Sequence, residues 1–406
     1  MNNIKAPYDS QSDFYRSPVG AVEVDTKIHF RVMIPKSLRC SYVELAIKYD
    51  CDRDWNHYKM FWSGEFGEEN ELWDCYFSPD KTGLYWHGFK LQTNQGERYI
   101  VPSNARVKSV ISNVPGAAWQ ITSHKKGFET PAWPQGGVMY QIFPDRFFSS
   151  GEKKENVPQD RTIHENWGEL PVWQPNQQGE ITNSDFFMGD LKGITQKLDY
   201  LEDLGVTILY LNPVSQAYSN HRYDTADYST IDPILGKEED FIELCEEAKK
   251  RGMRVINDGV FSHTGNDSIY FNSKNRYDSV GAYNSQQSPY YNWYKFYQWP
   301  QSYHSWWGFY TLPEVNELEP SFNEYINGEN GIVRKWMKSG NSGWRLDVAD
   351  ELPDGFLENL RKAVKAQDPE GLVIGEVWED ASNKESYGGR RKFLLGDQLD
   401  TVMNYP

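Results

Sequence analysis

Short apolar runs alternate with amphipathic segments over the last two thirds of the chain. From about residue 137, six runs have the length of buried strands: GVMYQIF, VTILYLNP, MRVINDGV, SGWRLDV, LVIGEVW and DTVMNYP. Amphipathic segments such as EEDFIELCEEAKKRG and DGFLENLRKAVKA lie between several of them. This alternation predicts βα units around a parallel sheet. Strands that are apolar along their whole length agree with this, because parallel strands are covered on both faces.

Polar side chains stand at the C-terminal ends of several of these predicted strands: Asp145, Asn212, Asp258, Asp347 and Glu376. Polar groups at that end of barrel strands are more often catalytic than structural. Their placement favours an α/β fold of the (β/α)8 TIM barrel type over a doubly wound sheet. Six strands are present where a closed barrel has eight, so we expect a C-terminally truncated barrel whose open edges favour aggregation.

The chain divides into a β-rich beginning and an interrupted barrel. Residues 1–125 alternate apolar and polar positions and carry turn-rich segments, which predicts an N-terminal β-sandwich. The barrel is expected over 126–262 and 326–406, with an inserted domain over 263–325 after its third strand. The insert contains YYNWYKFYQWP and YHSWWGFYTLP, and we expect these aromatic residues to line the barrel mouth.

Six aromatic residues of the N-terminal region have two interpretations: Trp55, Tyr58, Trp62, Trp73, Tyr85 and Trp86. They could bind a ligand by stacking. A β-sandwich also needs bulky alternating residues in its core, and we favour the core interpretation.

Charge, hydropathy and cysteine content exclude several classes of protein. The 58 acidic residues outnumber the 42 basic ones, which gives a net charge of −16 and argues against nucleic acid as a partner. No run approaches the length of a membrane span, and MNNIKAPYDSQSDFYRS lacks an apolar leader. Cys40, Cys51, Cys75 and Cys245 show no metal or disulfide spacing, which favours reduced thiols in a cytoplasmic protein, with one N-terminal disulfide left open.

Asp347 and Glu376 form a candidate catalytic pair, because neighbouring barrel strands would place them across one pocket. Retaining glycoside hydrolysis uses two such carboxyl groups, one as nucleophile and one as acid/base. Arg345 precedes Asp347 by two residues and would share its strand face, where its charge would keep Asp347 ionised. The alternative is a pair of solvated acids at strand ends, with Arg345 in a surface ion pair.

A second candidate cluster joins NHRYDTADY to DGVFSH. Sugars present hydroxyl groups to polar side chains and an apolar face to aromatic rings. Tyr223 is therefore a candidate stacking platform, with His221, Asp224 and His263 as hydroxyl partners. Taken singly, these residues are more typical of loop capping, whereas their clustering favours a sugar site.

Taken in order, these segments resemble glycoside hydrolase family 13, the α-amylase family. DGVFSH, GWRLDVADE and GEVW resemble its first three conserved regions, and LPEVN resembles the short motif of its inserted domain. YQIFPDRF, FFMGDLKGI and SNHRYDTADY resemble the branch of neopullulanases, cyclomaltodextrinases and maltogenic amylases. The resemblance covers about residues 15–406. In that branch an N-terminal β-sandwich, starch-binding-like, often mediates a homodimer.

The resemblance implies roles for individual residues. Asp347 would be the nucleophile, Glu376 the acid/base and Arg345 the residue that positions Asp347. His263 and Tyr223 would hold the sugar on the non-reducing side of the cut bond, with Asp258 as support. Val348–Glu351 and Trp378 would face the leaving group.

Two departures from the family pattern concern the third acid and calcium. The fourth region, ending in Asn-His-Asp, supplies a third acid and does not occur in this chain, so we expect a fragment, a truncated chain or one piece of a split protein. Ser262 stands where many members have a calcium-binding Asn. The loop SSGEKKEN carries Lys153 and Lys154 where the branch has Asn and Asp, which leaves Asp190 alone in a ligand-like position. Structural calcium is therefore doubtful, and no cofactor is needed for the chemistry.

The sequence thus predicts a retaining α-glucan hydrolase that cuts α-1,4 and perhaps α-1,6 bonds of cyclodextrins, pullulan, starch or maltooligosaccharides, with some transglycosylation. The alternative is a catalytically inactive fragment that only binds glucan. A barrel enzyme acting on phosphorylated sugars is disfavoured, because the chain has no Gly-rich phosphate loop.

Overall fold

The computed structural model describes residues 6–103 and 108–405, which form two compact units. The first unit extends to Glu129 and includes the distant segment Ser382–Asp397; the second comprises Thr130–Ala381 and the residues from Gln398 onward. The sequence assigned 382–397 to the barrel and gave no sign of this return. Residues 1–5, part of the segment that lacks an apolar leader, lie outside the described residues.

The helices and the cysteines were considered from the sequence as possible membrane spans and disulfides. Among the residues described, no helix combines the length and apolarity that a membrane crossing requires. The four cysteines are free thiols, and burial raises the pKa of Cys75 to about 12.

The first unit is built from β-strands. They are β1 (Arg16–Ser17), β2 (Val22–Glu23), β3 (Ile28–Pro35), β4 (Tyr42–Tyr49), β5 (Asn56–Lys59), β6 (Phe61–Phe66), β7 (Asn70–Phe77), β8 (Gly83–Thr93), β9 (Gly96–Pro102), β10 (Ser109–Ser112) and β11 (Trp119–His124). One sheet has the order β1-β3-β7-β6 and the other β10-β9-β8-β11-β2, with β4 joining β8 to β5. Alternate side chains of both sheets, such as Val32, Leu45 and Phe89, share one apolar cluster. The prediction of a β-rich N-terminal region is confirmed.

The six aromatic residues singled out in this region divide into two groups. Trp73 and Tyr85 are buried and Trp86 is half-buried. Trp55, Tyr58 and Trp62 are 40%, 39% and 55% exposed, so the core interpretation is wrong for these three. Tyr58 and Trp62 lie on β5 and β6, the outermost strands of their sheets, where an outward-facing ring has no neighbouring strand to cover it.

The second unit alternates strands and helices. Its strands are β12 (Met139–Ile142), β13 (Thr162–Ile163), β14 (Asp185–Phe186), β15 (Ile208–Leu211), β16 (Ser215–Ala217), β17 (Thr225–Ile231), β18 (Arg254–Gly259), β19 (Phe296–Gln298), β20 (Ser302–Tyr303), β21 (Gly343–Leu346) and β22 (Leu372–Val377). After β23 (Glu385–Ser386) and β24 (Gly389–Arg390), which lie in the returning segment, comes β25 (Thr401–Asn404). The helices are α1 (Leu191–Gln196), α2 (Leu198–Asp203), α3 (Glu238–Lys250), α4 (Pro320–Asn327), α5 (Ile332–Lys338) and α6 (Asp354–Gln367).

All six apolar runs become strands of one sheet, in the order β12-β15-β18-β21-β22-β25. Every neighbouring pair is parallel, so the predicted partial parallel barrel is confirmed, whereas its relation to a closed eight-stranded barrel stays a prediction. The helices follow from periodicity. For example, α6 buries Phe356, Leu360 and Val364, whose spacing of four places them on one helix face.

The side chains inside this sheet change from apolar to polar along the strands. Toward the N-terminal ends, Ile208, Ile256 and Leu372 pack together with Tyr210 and Ile374. One step further toward the C-terminal ends stand Asp258, Arg345 and Glu376. Because side chains alternate between faces with a period of two, Asp258 shares the face of Ile256, and Glu376 shares that of Ile374. The apolar layer therefore forms the floor of a polar site.

The two outermost strands of the six-stranded sheet are more exposed than the central ones. Met139 on β12 is 41% exposed, and β25 has no fully buried position, whereas β15 and β21 are buried throughout. Because unpaired, partly apolar edges recruit other chains, we expect the purified 406-residue chain to associate in sedimentation velocity. A monodisperse chain with one cooperative melting transition would contradict this expectation.

Candidate active site

The strand register brings the predicted polar residues together. Asp258 on β18 lies directly opposite Arg345 on β21, and Arg345 lies opposite Ile374 on β22. Asp347 and Glu376 each follow by two residues, so both point to the same face as Arg345. Three carboxyl groups and one guanidinium therefore meet at the C-terminal end of the sheet.

Arg345 makes an ion pair with each of the three carboxyl groups. Its Nη1 lies 2.8 Å from both Asp258 Oδ1 and Asp347 Oδ1, and its Nη2 lies 2.7 Å from Glu376 Oε2. Arg345 is only 5% exposed, which excludes the surface ion pair considered from the sequence. We call Arg345, Asp258, Asp347 and Glu376 the carboxylate cluster.

The pKa of Asp347 differs from the sequence-based expectation. Burial, together with the charges of Asp258 and Glu376, raises it to about 8 against the opposing effect of Arg345. The expectation that Arg345 alone would keep Asp347 ionised is therefore wrong, because one guanidinium faces three carboxyl groups. Burial raises the pKa of Asp258 as well. A cluster with two uncompensated negative charges favours retaining a proton near neutral pH.

Glu376 is also held by a strained backbone. Val348 has φ of 46°, a left-handed conformation that is costly for a β-branched residue. In this conformation its backbone N–H donates to Glu376 Oε2 at 2.9 Å. The residue after Asp347 thus fixes the orientation of the second carboxyl group.

Asp258 supports the cluster from beneath. Its side chain is fully buried, and its Oδ2 accepts hydrogen bonds from the hydroxyls of Tyr210 at 2.6 Å and Tyr223 at 2.9 Å. Asn212 donates to the Tyr223 hydroxyl at 2.9 Å. The Tyr223 ring, predicted as a stacking platform, is therefore tied to the cluster through its hydroxyl. Tyr210 was not singled out from the sequence, because a Tyr inside an apolar strand carries no distinguishing signal.

The two histidines and Asp224 have local partners. The His263 ring lies 3.1 Å from the Tyr223 carbonyl and 3.0 Å from Ser262 Oγ, so both of its nitrogens are engaged, and burial lowers its pKa to about 4. His221 Nδ1 accepts from the Tyr223 backbone N–H, and Asp224 accepts from Ser219. These groups thus have the local partners that loop capping predicts, and all three also line the cleft, so their contact with sugar stays a prediction.

A cleft of about 1030 Å³ opens above the cluster. Its lining includes Asp347, Glu376, Arg345, Tyr223, His221, Asp224, His263 and Trp378. The structure therefore brings the predicted site residues together, with Asp258 directly beneath. Trp378 is 36% exposed, and its indole N–H donates to Glu376 Oε1 at 3.2 Å.

Two tryptophans of the inserted segment extend this aromatic wall. The indole N–H groups of Trp306 and Trp307 donate to the two carboxylate oxygens of Glu351, at 2.9 and 2.8 Å. Their rings stack 5.3 Å apart, and Trp307 meets Trp378 edge to face at 5.7 Å. The sequence predicted aromatic residues at this mouth but could not identify Glu351 as their common acceptor, because it is about 45 residues away.

The contacts of Asp190 do not fit a calcium ion. Its Oδ1 accepts the backbone N–H groups of Ser150 and Gly193, at 3.0 and 2.6 Å. Its Oδ2 faces the Ser150 hydroxyl and Lys154 Nζ, both at 2.5 Å. Asp190 is fully buried and the Lys154 side chain is 7% exposed. Every group around the carboxylate is thus a donor, whereas calcium needs oxygen ligands. No group of three acidic, His or Cys side chains suited to a metal occurs in residues 6–103 and 108–405.

A family model for the alpha-amylase catalytic domain matches residues 141–406. The chain belongs to the alpha-amylase family. The resemblance inferred from the motifs is thereby confirmed. An amylopullulanase of Thermoanaerobacterium thermosulfurigenes is 36% identical, over 98% of this chain and 23% of its own length. A cyclomaltodextrinase of Thermoanaerobacter pseudethanolicus is 34% identical, over 88% of this chain and 60% of its own.

Solved structures of this family agree with the fold. The type III pullulan hydrolase of Thermococcus kodakarensis superposes with a TM-score of 0.59 at 28% identity, over 99% of this chain and 65% of that one. A cyclomaltodextrinase gives 0.62 at 27% identity, over 99% and 64%. The chain thus spans 23% to 65% of the length of these similar proteins.

The raised pKa of Asp347 predicts that Asp347→Asn increases the stability of the folded chain more at high pH than at low pH. Folded Asp347 keeps its proton up to about pH 8, whereas the unfolded chain loses it near 4. The folded state thus binds more protons in this window, and stability falls as the pH rises. We expect Asp347→Asn to stabilise the chain by on the order of 4 kcal/mol more at pH 8 than at pH 5 in thermal melts. Asp278→Asn, at an exposed position, is the control; an equal gain at both pH values would contradict the prediction.

Because Lys154 already pairs with Asp190, we expect the chain to be stable without a metal ion at this site. Lys154→Met should cost about 3 kcal/mol, because it leaves a buried carboxylate without its cation. Lys192→Met, which breaks a pair with side chains 32% and 52% exposed, should change stability by less than about 1 kcal/mol. A chelator should not shift the melting temperature of the unaltered chain. Stabilisation by added calcium would contradict this account.

Proposed function

We propose that this chain is a retaining α-glucan hydrolase. The observation that carries the proposal is the shared guanidinium of Arg345, which holds Asp347 and Glu376 side by side at the floor of an aromatic-lined cleft. Retaining glycosidases need two adjacent carboxyl groups, and sugars bind through stacking rings and fixed polar groups. Membership of the alpha-amylase family supports the same chemistry.

In this proposal the two carboxyl groups divide the work. Asp347 attacks the anomeric carbon in its ionised form and forms a covalent glycosyl intermediate, while Glu376, which holds the proton of the cluster at this step, donates it to the leaving glycosidic oxygen. Glu376 then removes a proton from the incoming water, which releases the sugar with its configuration retained. Arg345 positions both groups. Asp258 fixes Arg345 through an ion pair of 2.8 Å, and the Tyr223 hydroxyl donates to Asp258 at 2.9 Å. No step requires a metal ion.

The substrate class follows from the walls of the cleft and from the names of the relatives. Trp306, Phe309 and Trp378 line the cleft and offer flat apolar faces to pyranose rings. Relatives are named amylopullulanase, cyclomaltodextrinase and neopullulanase. We therefore propose α-1,4-linked glucans as substrates, with cleavage of α-1,6 bonds and transfer to sugar acceptors as further activities. Intracellular maltogenic amylases among the relatives support a cytoplasmic site of action.

The test measures reducing-sugar release from γ-cyclodextrin and pullulan by the purified chain. Asp347→Asn and Glu376→Gln should each lower release by at least about 1000-fold, because each removes a group that acts on the reacting bond. Asp278→Asn serves as the control and should leave the rate unchanged. Residual release that is equal in all variants would overturn the assignment of the two carboxyl groups.

The competing function is glucan binding without cleavage. It predicts no release by any variant, together with measurable binding of maltoheptaose in calorimetry. A chain that neither releases sugar nor binds maltoheptaose would contradict both functions.

A further inference from the structure

One end of the cleft is bridged by an ion-pair network. Arg276 Nη2 lies 2.6 Å from Asp160 Oδ2, and Arg276 Nε lies 2.7 Å from Asp267 Oδ2. Arg276 and Asp267 belong to the inserted segment, whereas Asp160 lies just before β13, in the segment 149–184 that precedes β14. All three residues line the cleft. We call Asp160, Arg276 and Asp267 the rim latch.

The rim latch joins the inserted segment, where hydrogen bonds fix a turn, to the segment before β14, much of which is exposed. On the inserted segment, the Asn272 side-chain amide donates to the carbonyls of Tyr277 and Ser279 at 2.8 Å each, which fixes the turn that carries Arg276. On the other side, residues 165–182 are exposed at every position. An exposed loop with few buried contacts opens easily, so the latch is well placed to hold it against the insert.

Two further contacts secure Asp160 to the body of the second unit. Arg161 Nη1 lies 2.6 Å from Asp160 Oδ1, and the Arg161 side chain is 3% exposed. Its guanidinium lies 4.2 Å from the centre of the Tyr218 ring, and that of Arg276 approaches the same ring at 5.7 Å. Three chain segments thus converge at the latch, which makes it part of a built structure rather than an isolated surface pair.

The latch lies away from the reacting groups. Tyr223 contacts the carboxylate cluster through Asp258, the neighbouring Asp224 binds Ser219, and Tyr218 then meets Arg276. The ion pairs of the latch involve no member of the carboxylate cluster. Glu180, Ile181 and Thr182 of the exposed loop also line the cleft. The loop therefore forms part of the cleft wall.

We propose that the rim latch closes this end of the cleft and limits the length of glucan that it accommodates. An ion pair that joins the two segments blocks the path between them, and a longer glucan must break it before it can pass. The latch is a specificity determinant and takes no part in bond cleavage. The inference rests on the proposed glucan-binding function of the same cleft.

The experiment compares binding of maltotriose and maltoheptaose by calorimetry, in chains carrying Asp347→Asn so that no sugar is cut. Arg276→Met and Asp160→Asn should each raise the affinity for maltoheptaose relative to maltotriose by about fivefold, the value of roughly one added hydrogen-bonded contact. The double variant should do no more than either single one, because both open the same latch. Arg251→Met, which breaks ion pairs with Asp199 and Glu247 outside the cleft, should leave the ratio unchanged.

A second readout follows the loop itself. Chymotrypsin should cut near Trp173, which is 68% exposed, faster in Arg276→Met than in the Arg251→Met control. Faster cleavage with an unchanged affinity ratio would overturn the role in glucan length. Loss of affinity for both sugars in Arg276→Met would also overturn it, since the arginine would then contact sugar directly. If the latched chain binds neither sugar, the proposed function itself fails.

Discussion

The buried guanidinium of Arg345 is the contact on which the rest of the site depends. Burial alone would lower its pKa, but the charges of Asp258 and Asp347 and the neighbouring Tyr210 more than reverse this effect. Breaking a buried pair of this kind costs about 3–5 kcal/mol, because the remaining charges stay in a low dielectric without compensation. Without Arg345, three carboxyl groups would face one another at the floor of the cleft. The parallel register that places Asp258 opposite Arg345 is therefore as much an electrostatic requirement as a backbone one.

The cluster nevertheless remains short of positive charge, and this deficit is consistent with its chemistry. Retaining hydrolysis needs an ionised nucleophile beside a carboxyl group that still holds a proton. The raised pKa values of Asp347 and Asp258 indicate that the coupled cluster tends to retain a proton, which in the proposed mechanism resides on Glu376 when Asp347 attacks. The strained φ of Val348 adds to the cost at the same place. Strain and like charges concentrated where a reaction occurs are typical of functional sites, and here they surround the two carboxyl groups that the motifs identified.

The sequence predicted the parts of this structure that depend on local pattern. All six strands of the parallel sheet were visible as apolar runs, and the cluster residues stood at their C-terminal ends, because strand period and register determine both. Helix α4 was not predicted, because most of it lies in the segment read as an aromatic insert, and its N-terminal cap is the Glu319 side chain rather than a Ser, Thr, Asp or Asn. The acceptor role of Glu351, the partner of Lys154 and the return of residues 382–397 to the first unit depend on contacts between distant segments. No period or spacing in the sequence encodes such contacts. The balance of charges around Asp347 was misjudged for the same reason, because burial cannot be counted from residue types.

The reacting groups and part of the cleft wall stand on different kinds of structure, buried strands and an exposed loop. The reacting groups stand on buried strands whose neighbours fix them within a hydrogen-bonded sheet, which suits chemistry that tolerates little displacement. The exposed loop is joined to the inserted segment through the ion pair of Asp160 with Arg276, while the pairing of β13 with β14 and a hydrogen bond from the Val172 N–H to Asp185 join it to the rest of the unit. In the proposed role of the latch, a change at Asp160 or Arg276 would alter the length of glucan that enters while the carboxylate cluster stays in place. The two proposed functions rest on separate segments, so the length of the bound glucan can change without any change in how the bond is cut.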